Sequence, residues 1–188
     1  MTATDRYRSC VFPQAHVMPW QGVWPTIDNT SLVLPGAAII GDVVMEAQTS
    51  AWFNAVIRGD DGPIRIGAGT NIQDGCIIHV SVELPTIIGR GVTIGHMVHL
   101  HACTLEDDTL VGSGAIVLDG ARLERESQVA AGALVAPGKV VPSGELWGGV
   151  PARKLRDLNQ DEIDGIRDNA AWYVHELGAW RQQLETQS

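Results

Sequence analysis

A six-residue period constrains the fold of this chain more than any other feature of its sequence. Between residues 34 and 147, aliphatic residues recur at every sixth position over long runs, and glycines often follow three places later. So short a repeat cannot hold a pair of helices, but it accommodates a short strand and a tight turn in which glycine supplies backbone freedom. The clearest aliphatic run is Val111, Val117, Leu123, Val129, Val135, Val141 and Trp147, and the glycine column beside it has its gap at Glu126.

This pattern resembles the hexapeptide repeat, whose family fold is a left-handed parallel β-helix of triangular section. The resemblance implies a mainly β fold in which three hexapeptides form one coil, so that residues about 18 positions apart stack on each other. The aliphatic residue then points inward and the residue after it points outward. Because the repeat specifies only a scaffold, function has to be argued from individual residues.

The chain divides into three predicted segments. Residues 1–30 are rich in proline, and we expect them to wrap around the main body without contributing chemistry. Residues 31–152 form the predicted β-helix. Residues 153–188 change to helical spacing, and Asn159 followed by Glu162 is typical of a helix N-cap with a capping box. We therefore predict one C-terminal α-helix.

Composition excludes several classes of partner. The chain has 188 residues, 45% of them hydrophobic, which suits a single domain. Its net charge is -9 and no run of Lys or Arg forms a basic patch, which disfavours nucleic acid and anionic membranes. It has neither a stretch of about 18 apolar residues nor an N-terminal signal-peptide pattern. Three widely spaced cysteines without a CxxC pair favour reduced thiols, a cytoplasmic location and no cysteine zinc site.

Two steps of the repeat are longer than six residues. One contains the extra residues 59–62, with the sequence GDDG, and the other contains residues 81–85, with the sequence SVELP. Insertions in a solenoid are loops that often lie on its binding face. We therefore expect two loops that carry carboxylates.

The register of the repeat predicts a pair of stacked histidines. His79 and His101 each follow an inward aliphatic residue on the same face, so we expect them at equivalent positions of adjacent coils. Parallel strands lie about 4.8 Å apart, and two imidazoles on one tetrahedral Zn²⁺ need ring nitrogens a little over 3 Å apart. His96 lies at a corner, where it could contact a neighbouring copy; a metal shared within a threefold assembly would follow. His99 also points outward, and we interpret it as a solvated residue at the rim.

Other polar residues join the same patch. Arg58 follows Ile57 as His79 follows Ile78, so it shares the outward column of His79 and His101. Asp74 takes the place of His96 one coil earlier, and Gln73 and Asn71 flank it. Spacing alone therefore points to a metal site, with purely structural histidines as the alternative.

The sequence around these histidines also resembles a known family in detail. The matching motifs are NAVIRGD at 54–60, TNIQD at 70–74, IHV at 78–80, TIGH at 93–96, LHACT at 100–104, VLDGA at 117–121 and GVPAR at 149–153. Together they are similar to the motif set of the γ-class carbonic anhydrase family, over a region from about residue 25 to the end.

The resemblance implies a function and an assembly. Members of the family are homotrimers with metal sites between subunits, so His79 and His101 would come from one subunit and His96 from its neighbour. Zn²⁺ is the expected metal, although imidazole ligands also suit Co²⁺ and Fe²⁺. The expected reaction is the reversible hydration of CO₂ to bicarbonate by a metal-bound hydroxide.

The resemblance also implies roles for the surrounding residues. Gln73 would position the reacting water or bicarbonate, and Asn71 would line the pocket. Interface ion pairs would be formed by Arg58, Asp60 and Asp74.

One departure from the family concerns proton transfer. The archetypal family pattern has a long acidic loop with a glutamate proton shuttle after the first metal histidine, whereas this chain has only residues 81–85 there. Glu83 lies near the shuttle position, and Asp61 stands about where a second pocket glutamate is expected. Two other functions therefore remain open. One is a hexapeptide acyltransferase with a histidine as general base, and the other is a trimeric metal-binding protein without catalysis.

Overall fold

The structure is a computed structural model that describes residue 7 and residues 9–187. Residues 1–6, 8 and 188 of the predicted terminal segments lie outside the described residues. The strands are β1 (His16–Met18), β2 (Thr26–Ile27), β3 (Leu32–Val33), β4 (Ala38–Met45), β5 (Ser50–Ala51), β6 (Val56–Ile66), β7 (Asn71–Ile72), β8 (Ile77–His79), β9 (Thr86–Ile88), β10 (Thr93–Ile94), β11 (His99–His101), β12 (Thr104–Leu105), β13 (Leu110–Val111), β14 (Ile116–Val117), β15 (Arg122–Leu123), β16 (Gln128–Val129), β17 (Leu134–Val135), β18 (Val140–Val141), β19 (Glu145–Gly148) and β20 (Arg153–Asp157), and the helix is α1 (Gln160–Gln187).

The strands form a left-handed parallel β-helix with three faces, as predicted. The first face has the order β6-β8-β11-β14-β17 and the second has the order β6-β9-β12-β15-β18. The third face runs from β3 through β5, β7, β10, β13 and β16 to β19 and β20. Each coil therefore contributes one short parallel strand to each face.

Inward aliphatic residues stack into a continuous core. On the first face, Ile57, Ile78, Leu100, Val117 and Val135 pair in register from coil to coil. Each of them is at most 1% exposed. Since burying such a side chain stabilises the fold by roughly 1.5–3 kcal/mol, this stack holds the coils in register.

The first insertion does not form the loop that we predicted. Residues 59–62 lie inside β6, one long strand that turns the corner between the first two faces. Its first half pairs with β8 and its second half with β9. The neighbouring strand β4 pairs with both ends of β6, but the register shifts between Gly41, which lies opposite Gly59, and Val43, which lies opposite Ile64. Residues 60–63 therefore form a bulge within the strand. The second insertion, residues 81–85, is an exposed bend as expected.

The N-terminal segment extends the solenoid instead of only wrapping around it. Both β1 and β2 pair in parallel with β4. The C-terminal segment begins with β20, an exposed antiparallel strand that covers the edge of β19. Helix α1 follows, and its capping box is present as predicted: Asn159 Oδ1 accepts from the Glu162 amide at 2.9 Å, and Glu162 Oε2 accepts from the Asn159 amide at 3.0 Å.

Helix α1 packs on the third face of the solenoid. Trp52 contacts Tyr173 and Trp180 edge to face, with ring centroids 5.3 and 5.9 Å apart. Arg181 donates to the backbone carbonyls of Ser9, Asn29 and Ser31, which joins the helix to the N-terminal segment. The third face is therefore covered by the helix, whereas Ile77 on the first face is 48% exposed. In the part of the chain that the structure describes, no helix is long and apolar enough to cross a bilayer.

The gap in the glycine column has a physical consequence. Gly114, Gly120, Gly132 and Gly138 all have positive φ, and Glu126 adopts the same conformation with φ 58°. A left-handed conformation costs a non-glycine residue about 1–2 kcal/mol. The carboxylate of Glu126 forms an ion pair with Arg167 on α1, which gives a reason for a side chain at this position.

We predict that Glu126→Gly is more stable than Glu126→Gln by about 1 kcal/mol. Both variants lose the ion pair with Arg167, so their difference isolates the backbone effect. The measurement is urea unfolding at a fixed protein concentration. Glu124, which does not share the positive φ, is the matched control: there the glycine variant should be the less stable of the pair. Equal stability of the two Glu126 variants would contradict the prediction.

Candidate metal centre

His79 and His101 lie opposite each other on adjacent coils, as the register predicted. They pair directly between β8 and β11, although they are 22 residues apart in sequence. Nδ1 of His79 is 3.2 Å from Nε2 of His101. This separation is close to the value, a little over 3 Å, that two imidazoles on one tetrahedral Zn²⁺ require.

A carboxylate binds the other nitrogen of each ring. Nε2 of His79 lies 2.9 Å from Oδ1 of Asp60, and Nδ1 of His101 lies 2.6 Å from Oδ1 of Asp119. Burial opposes ionisation of Asp60, but hydrogen bonds from His79 and Arg58 hold its pKa below the ordinary value. An ionised carboxylate only accepts hydrogen bonds, so the nitrogen that faces it carries the proton.

These hydrogen bonds determine what the facing nitrogens can do. In a neutral imidazole one nitrogen donates and the other accepts. Since Nε2 of His79 and Nδ1 of His101 donate to carboxylates, the two nitrogens that face each other at 3.2 Å both carry lone pairs. Two lone pairs at this distance repel unless a proton or a metal cation lies between them. The donor set of two neutral imidazoles with carboxylate partners therefore fits a divalent metal ion.

His96 lies at a corner of the solenoid and points into solvent. Its side chain is 53% exposed, and its Nδ1 is 2.8 Å from Oδ2 of Asp74. Within the described residues of one chain, the group that could hold a metal through three such ligands is Asp60, Asp61 and His79, and His96 is not in it. His96 thus has the same type of carboxylate partner as the other two histidines, but of the three only His79 belongs to this group.

An apolar stripe runs along the first face beside the two histidines. Val56, Ile77, Ile116 and Leu134 follow one another in the ladder, and His99 lies between Ile77 and Ile116. Ile77 is 48% exposed. Nearby chain segments add further exposed apolar side chains, Met97 at 71% and Val82 at 80%. Exposed apolar side chains of this kind are a feature of surfaces that bind other proteins.

His99 is less solvated than we predicted. Its ring lies 6.3 Å from that of His101, and the side chain is partly buried in the apolar stripe. Burial lowers its pKa, and the nearby His101 and His79 lower it further. Both effects favour the neutral form of the His99 imidazole.

Gln73 and Asn71 belong to a buried polar chain under α1. Gln73 Nε2 donates to Asn71 Oδ1 at 3.1 Å, and Asn71 Nδ2 donates to Thr93 Oγ1 at 3.0 Å. Thr93 Oγ1 in turn donates to Oδ1 of Asn169 on the helix, at 3.1 Å. These three hydrogen bonds fix the orientation of the Gln73 amide. Thr93 and Asn169 were not predicted from the sequence, because no local motif indicates which helix residue reaches this face.

The predicted interface residues have partners within their own chain. Arg58 forms an ion pair with Asp60, which also binds His79. Asp74 binds His96. Ion pairs across a subunit interface stay a prediction for these three residues.

The two candidate proton-transfer residues lie in different environments. Oδ2 of Asp61 is 3.9 Å from Nε2 of His79, and the Asp61 side chain is 51% exposed. Glu83 lies in the exposed bend at residues 81–85. Asp61 thus lies beside a candidate ligand and also contacts solvent. By position it is the better candidate for proton transfer.

Asp119 is a site residue to which no sequence pattern assigned a role. It lies two places after the inward Val117, the position that Asp74 and His96 take after Ile72 and Ile94. That equivalence is the sequence signal that could have identified it.

The cysteines are unsuited to nucleophilic catalysis. Cys10, Cys76 and Cys103 are free and buried. Burial raises the pKa of Cys76 and of Cys103 to about 12, so both are neutral thiols at physiological pH.

Comparison with known proteins identifies the family. The chain is 47% identical over 155 residues to γ carbonic anhydrase 1, mitochondrial, of Arabidopsis thaliana, a match that covers 79% of this chain and 56% of the relative. It is 46% identical over 148 residues to a Methanocaldococcus jannaschii protein named "Probable carbonic anhydrase", covering 79% of this chain and 93% of that protein. No protein-family model matches the chain.

A solved structure has the same fold. The structure of a hexapeptide transferase family protein from Anaplasma phagocytophilum superposes with a TM-score of 0.85 at 43% identity, over 88% of this chain and 98% of that one. The chain spans 56% of the length of the Arabidopsis relative but nearly all of the archaeal one. Identity at this level over such coverage establishes common descent, and the chain therefore belongs to the γ-class carbonic anhydrase family of hexapeptide-repeat proteins.

Proposed function

We propose that this chain is a metal-dependent carbonic anhydrase that catalyses the reversible hydration of CO₂ to bicarbonate at the interfaces of a homotrimer. The observation that carries the proposal is the 3.2 Å separation of Nδ1 of His79 and Nε2 of His101, while Asp60 and Asp119 bind the opposite nitrogens. A cation between these nitrogens removes their repulsion. The names of the relatives agree with this function.

His96 of the partner subunit supplies the third ligand in this proposal. Two observations support sharing: the His96 side chain is 53% exposed, and Ile77 of the apolar stripe beside the pair is 48% exposed. A second copy that packs on the stripe buries Ile77 and brings its own corner histidine to the pair. Repetition of this contact around a threefold axis closes a ring.

The protein residues prepare the site for CO₂ chemistry. A bound Zn²⁺ supplies Lewis acidity that lowers the pKa of a coordinated water from about 15.7 to about 7, and Co²⁺ or Fe²⁺ also suits imidazole ligands. Gln73 donates to Asn71 through Nε2, which leaves its Oε1 to accept a hydrogen bond from a reacting water or bicarbonate. Asn71 is itself held by its hydrogen bond to Thr93, so Oε1 of Gln73 keeps a fixed orientation.

Carboxylates in the site have two tasks. Asp60, Asp74 and Asp119 orient the three histidines through hydrogen bonds of 2.6–2.9 Å. Asp61 is half exposed, within 3.9 Å of His79, and carries the proton to solvent, with Glu83 as the alternative carrier. Arg58 neutralises Asp60 and, together with Asp60 and Asp74, aligns the subunits.

A second candidate function is acyl transfer from an acyl-coenzyme A. The similarity to the Anaplasma protein, which is named a hexapeptide transferase family protein, supports it. A general base for acyl transfer needs one histidine with a free lone pair. Acyl transfer needs neither a second histidine nor a carboxylate behind each ring, whereas a metal site uses all four residues. We therefore favour the metal site.

We predict that the purified protein contains about one metal ion per chain and hydrates CO₂. Metal analysis and stopped-flow CO₂ hydration measure these two properties, and acetyl-coenzyme A turnover is assayed in parallel. His101→Ala should lose both metal and hydration, because one of the two facing nitrogens is removed. Leu155→Ala, at an exposed position of β20, is the control. Metal without hydration would indicate a non-catalytic metal-binding protein, and acetyl-coenzyme A turnover without metal would indicate an acyltransferase.

Subunit mixing tests the shared site. Trimers of His79→Ala alone or of His96→Ala alone have no complete site, because every site lacks one ligand. Mixed trimers should recover metal, since some interfaces combine an intact His79 and His101 with an intact His96 of the partner subunit. Metal content is measured after subunit exchange verified by native mass spectrometry. Verified mixed trimers that stay metal-free would contradict the shared-site arrangement.

Buffer dependence tests the proton path. Proton export should limit turnover, because the segment at 81–85 is short and offers a single carboxylate. Imidazole buffer should then raise kcat but leave kcat/KM nearly unchanged, since kcat/KM reports the CO₂ step. Asp61→Ala should lower kcat at low buffer concentration only, and Glu83→Ala, tested in the same way, examines the alternative. A buffer-independent kcat in the unsubstituted protein, with unchanged rates in both variants, would show that neither residue is a limiting relay.

A further inference from the structure

We propose that Asp119 is a positioning residue that fixes Nε2 of His101 as the metal-facing nitrogen. This inference rests on the proposed metal site. Its starting point is the 2.6 Å contact between Oδ1 of Asp119 and Nδ1 of His101. A short contact between a carboxylate and a ring nitrogen holds the proton on that nitrogen and frees the lone pair of the other.

The backbone holds Asp119 rigidly where it meets His101. Asp119 lies in the turn one coil beyond His101, directly after β14, which pairs with β11. The amide of Gly138 donates to the Asp119 carbonyl at 2.9 Å, and Gly120, with φ 67°, donates to Ala102 at 2.8 Å. Both neighbouring coils therefore hold this turn. Asp119 thus directs its carboxylate at His101 without relying on a mobile loop.

Asp119 cannot be a ligand of the same ion in this arrangement. Its oxygen occupies the Nδ1 side of the His101 ring, whereas His79 lies on the Nε2 side. Among the described residues, Asp119 does not join His79 in a group that could hold a metal. It acts on the metal only through the imidazole.

The two carboxylates behind the histidine pair differ in charge balance. Asp60 also forms an ion pair with Arg58, so part of its charge is neutralised. Within the described part of the chain, Asp119 has an ion pair with His101 and with no Lys or Arg. Arg58 therefore weakens the effect of Asp60 on His79, whereas the charge of Asp119, whose side chain is 44% exposed, is screened by solvent and not by a cationic side chain. Asp119 should accordingly matter for metal affinity even though it touches no metal.

The test uses three variants of the full-length protein. Asp119→Ala removes both the acceptor and the charge, and Asp119→Asn keeps an oxygen acceptor but removes the charge. Glu185→Gln, at an exposed position near the end of α1, makes the same change in net charge as Asp119→Asn and serves as the control. Circular dichroism and native mass spectrometry verify that each variant keeps the fold and assembly of the parent.

Two measurements decide the inference. Affinity for Zn²⁺ is measured by competition with a chromophoric chelator; Asp119→Ala should weaken it about 10–100-fold, Asp119→Asn less, and Glu185→Gln not at all. The tautomer of His101 is read from ¹⁵N chemical shifts of histidine-labelled, metal-free protein at pH 8. The parent should carry the proton on Nδ1, whereas Asp119→Ala should lose this preference and Asp119→Asn should weaken it, because its amide can donate as well as accept. A merely structural role of Asp119 would not move the tautomer.

The outcomes separate this inference from the proposed function. If His101 keeps its proton on Nδ1 in folded Asp119→Ala, or if that variant binds Zn²⁺ as tightly as the parent, Asp119 is not the positioning residue. If the parent binds Zn²⁺ but does not hydrate CO₂, the proposed reaction fails while the role of Asp119 is still decided. If the parent binds no Zn²⁺, the proposed site fails and the inference fails with it. Should Asp119→Ala misfold, Asp119→Asn decides by its affinity alone, and an affinity equal to that of Glu185→Gln overturns the inference.

Discussion

The site depends on the parallel register between β8 and β11. This register places His79 directly opposite His101 and keeps the ring nitrogens 3.2 Å apart. A slip of one residue would turn one histidine into the core, because successive side chains of a strand point to opposite sides. Ile78 and Leu100, the inward residues of the same pair of strands, are both fully buried and stabilise the register. The hydrophobic core thus fixes the geometry of the polar site.

The carboxylates determine which nitrogen of each histidine is free to bind a ligand. Asp60, Asp74 and Asp119 each hold one nitrogen of a histidine, so each imidazole has a defined free nitrogen. On His79 and His101 the free nitrogens meet at one point, an arrangement that is unfavourable until a cation arrives. Such preorganisation is typical of functional sites, where local stability is given up for binding. The solenoid itself is shared by proteins of other activities, so it is this arrangement that supports a particular function.

The first and third faces of the solenoid differ in how far the helix covers them. Helix α1 covers the third face and buries the polar chain from Gln73 to Asn169. The first face keeps an apolar stripe that includes Ile77, and no element of the described chain covers it. Because exposed apolar surface favours association, this face and the exposed His96 both support the proposed assembly. One helix therefore decides which side of the solenoid is available to a neighbouring subunit.

The sequence alone determined the repeat, the direction of each side chain and the stacking of His79 on His101, because strand alternation and a fixed period translate directly into position. It also located the helix cap at Asn159. Tertiary structure decided that the extra residues form a bulge within β6 and not a separate loop, since β4, β8 and β9 pair with the two ends of this strand. It also brought Asp119 to His101 and Asn169 to Thr93, 18 and 76 residues apart in sequence. Such contacts depend on how coils and helix pack and on side-chain rotamers, and periodicity specifies neither.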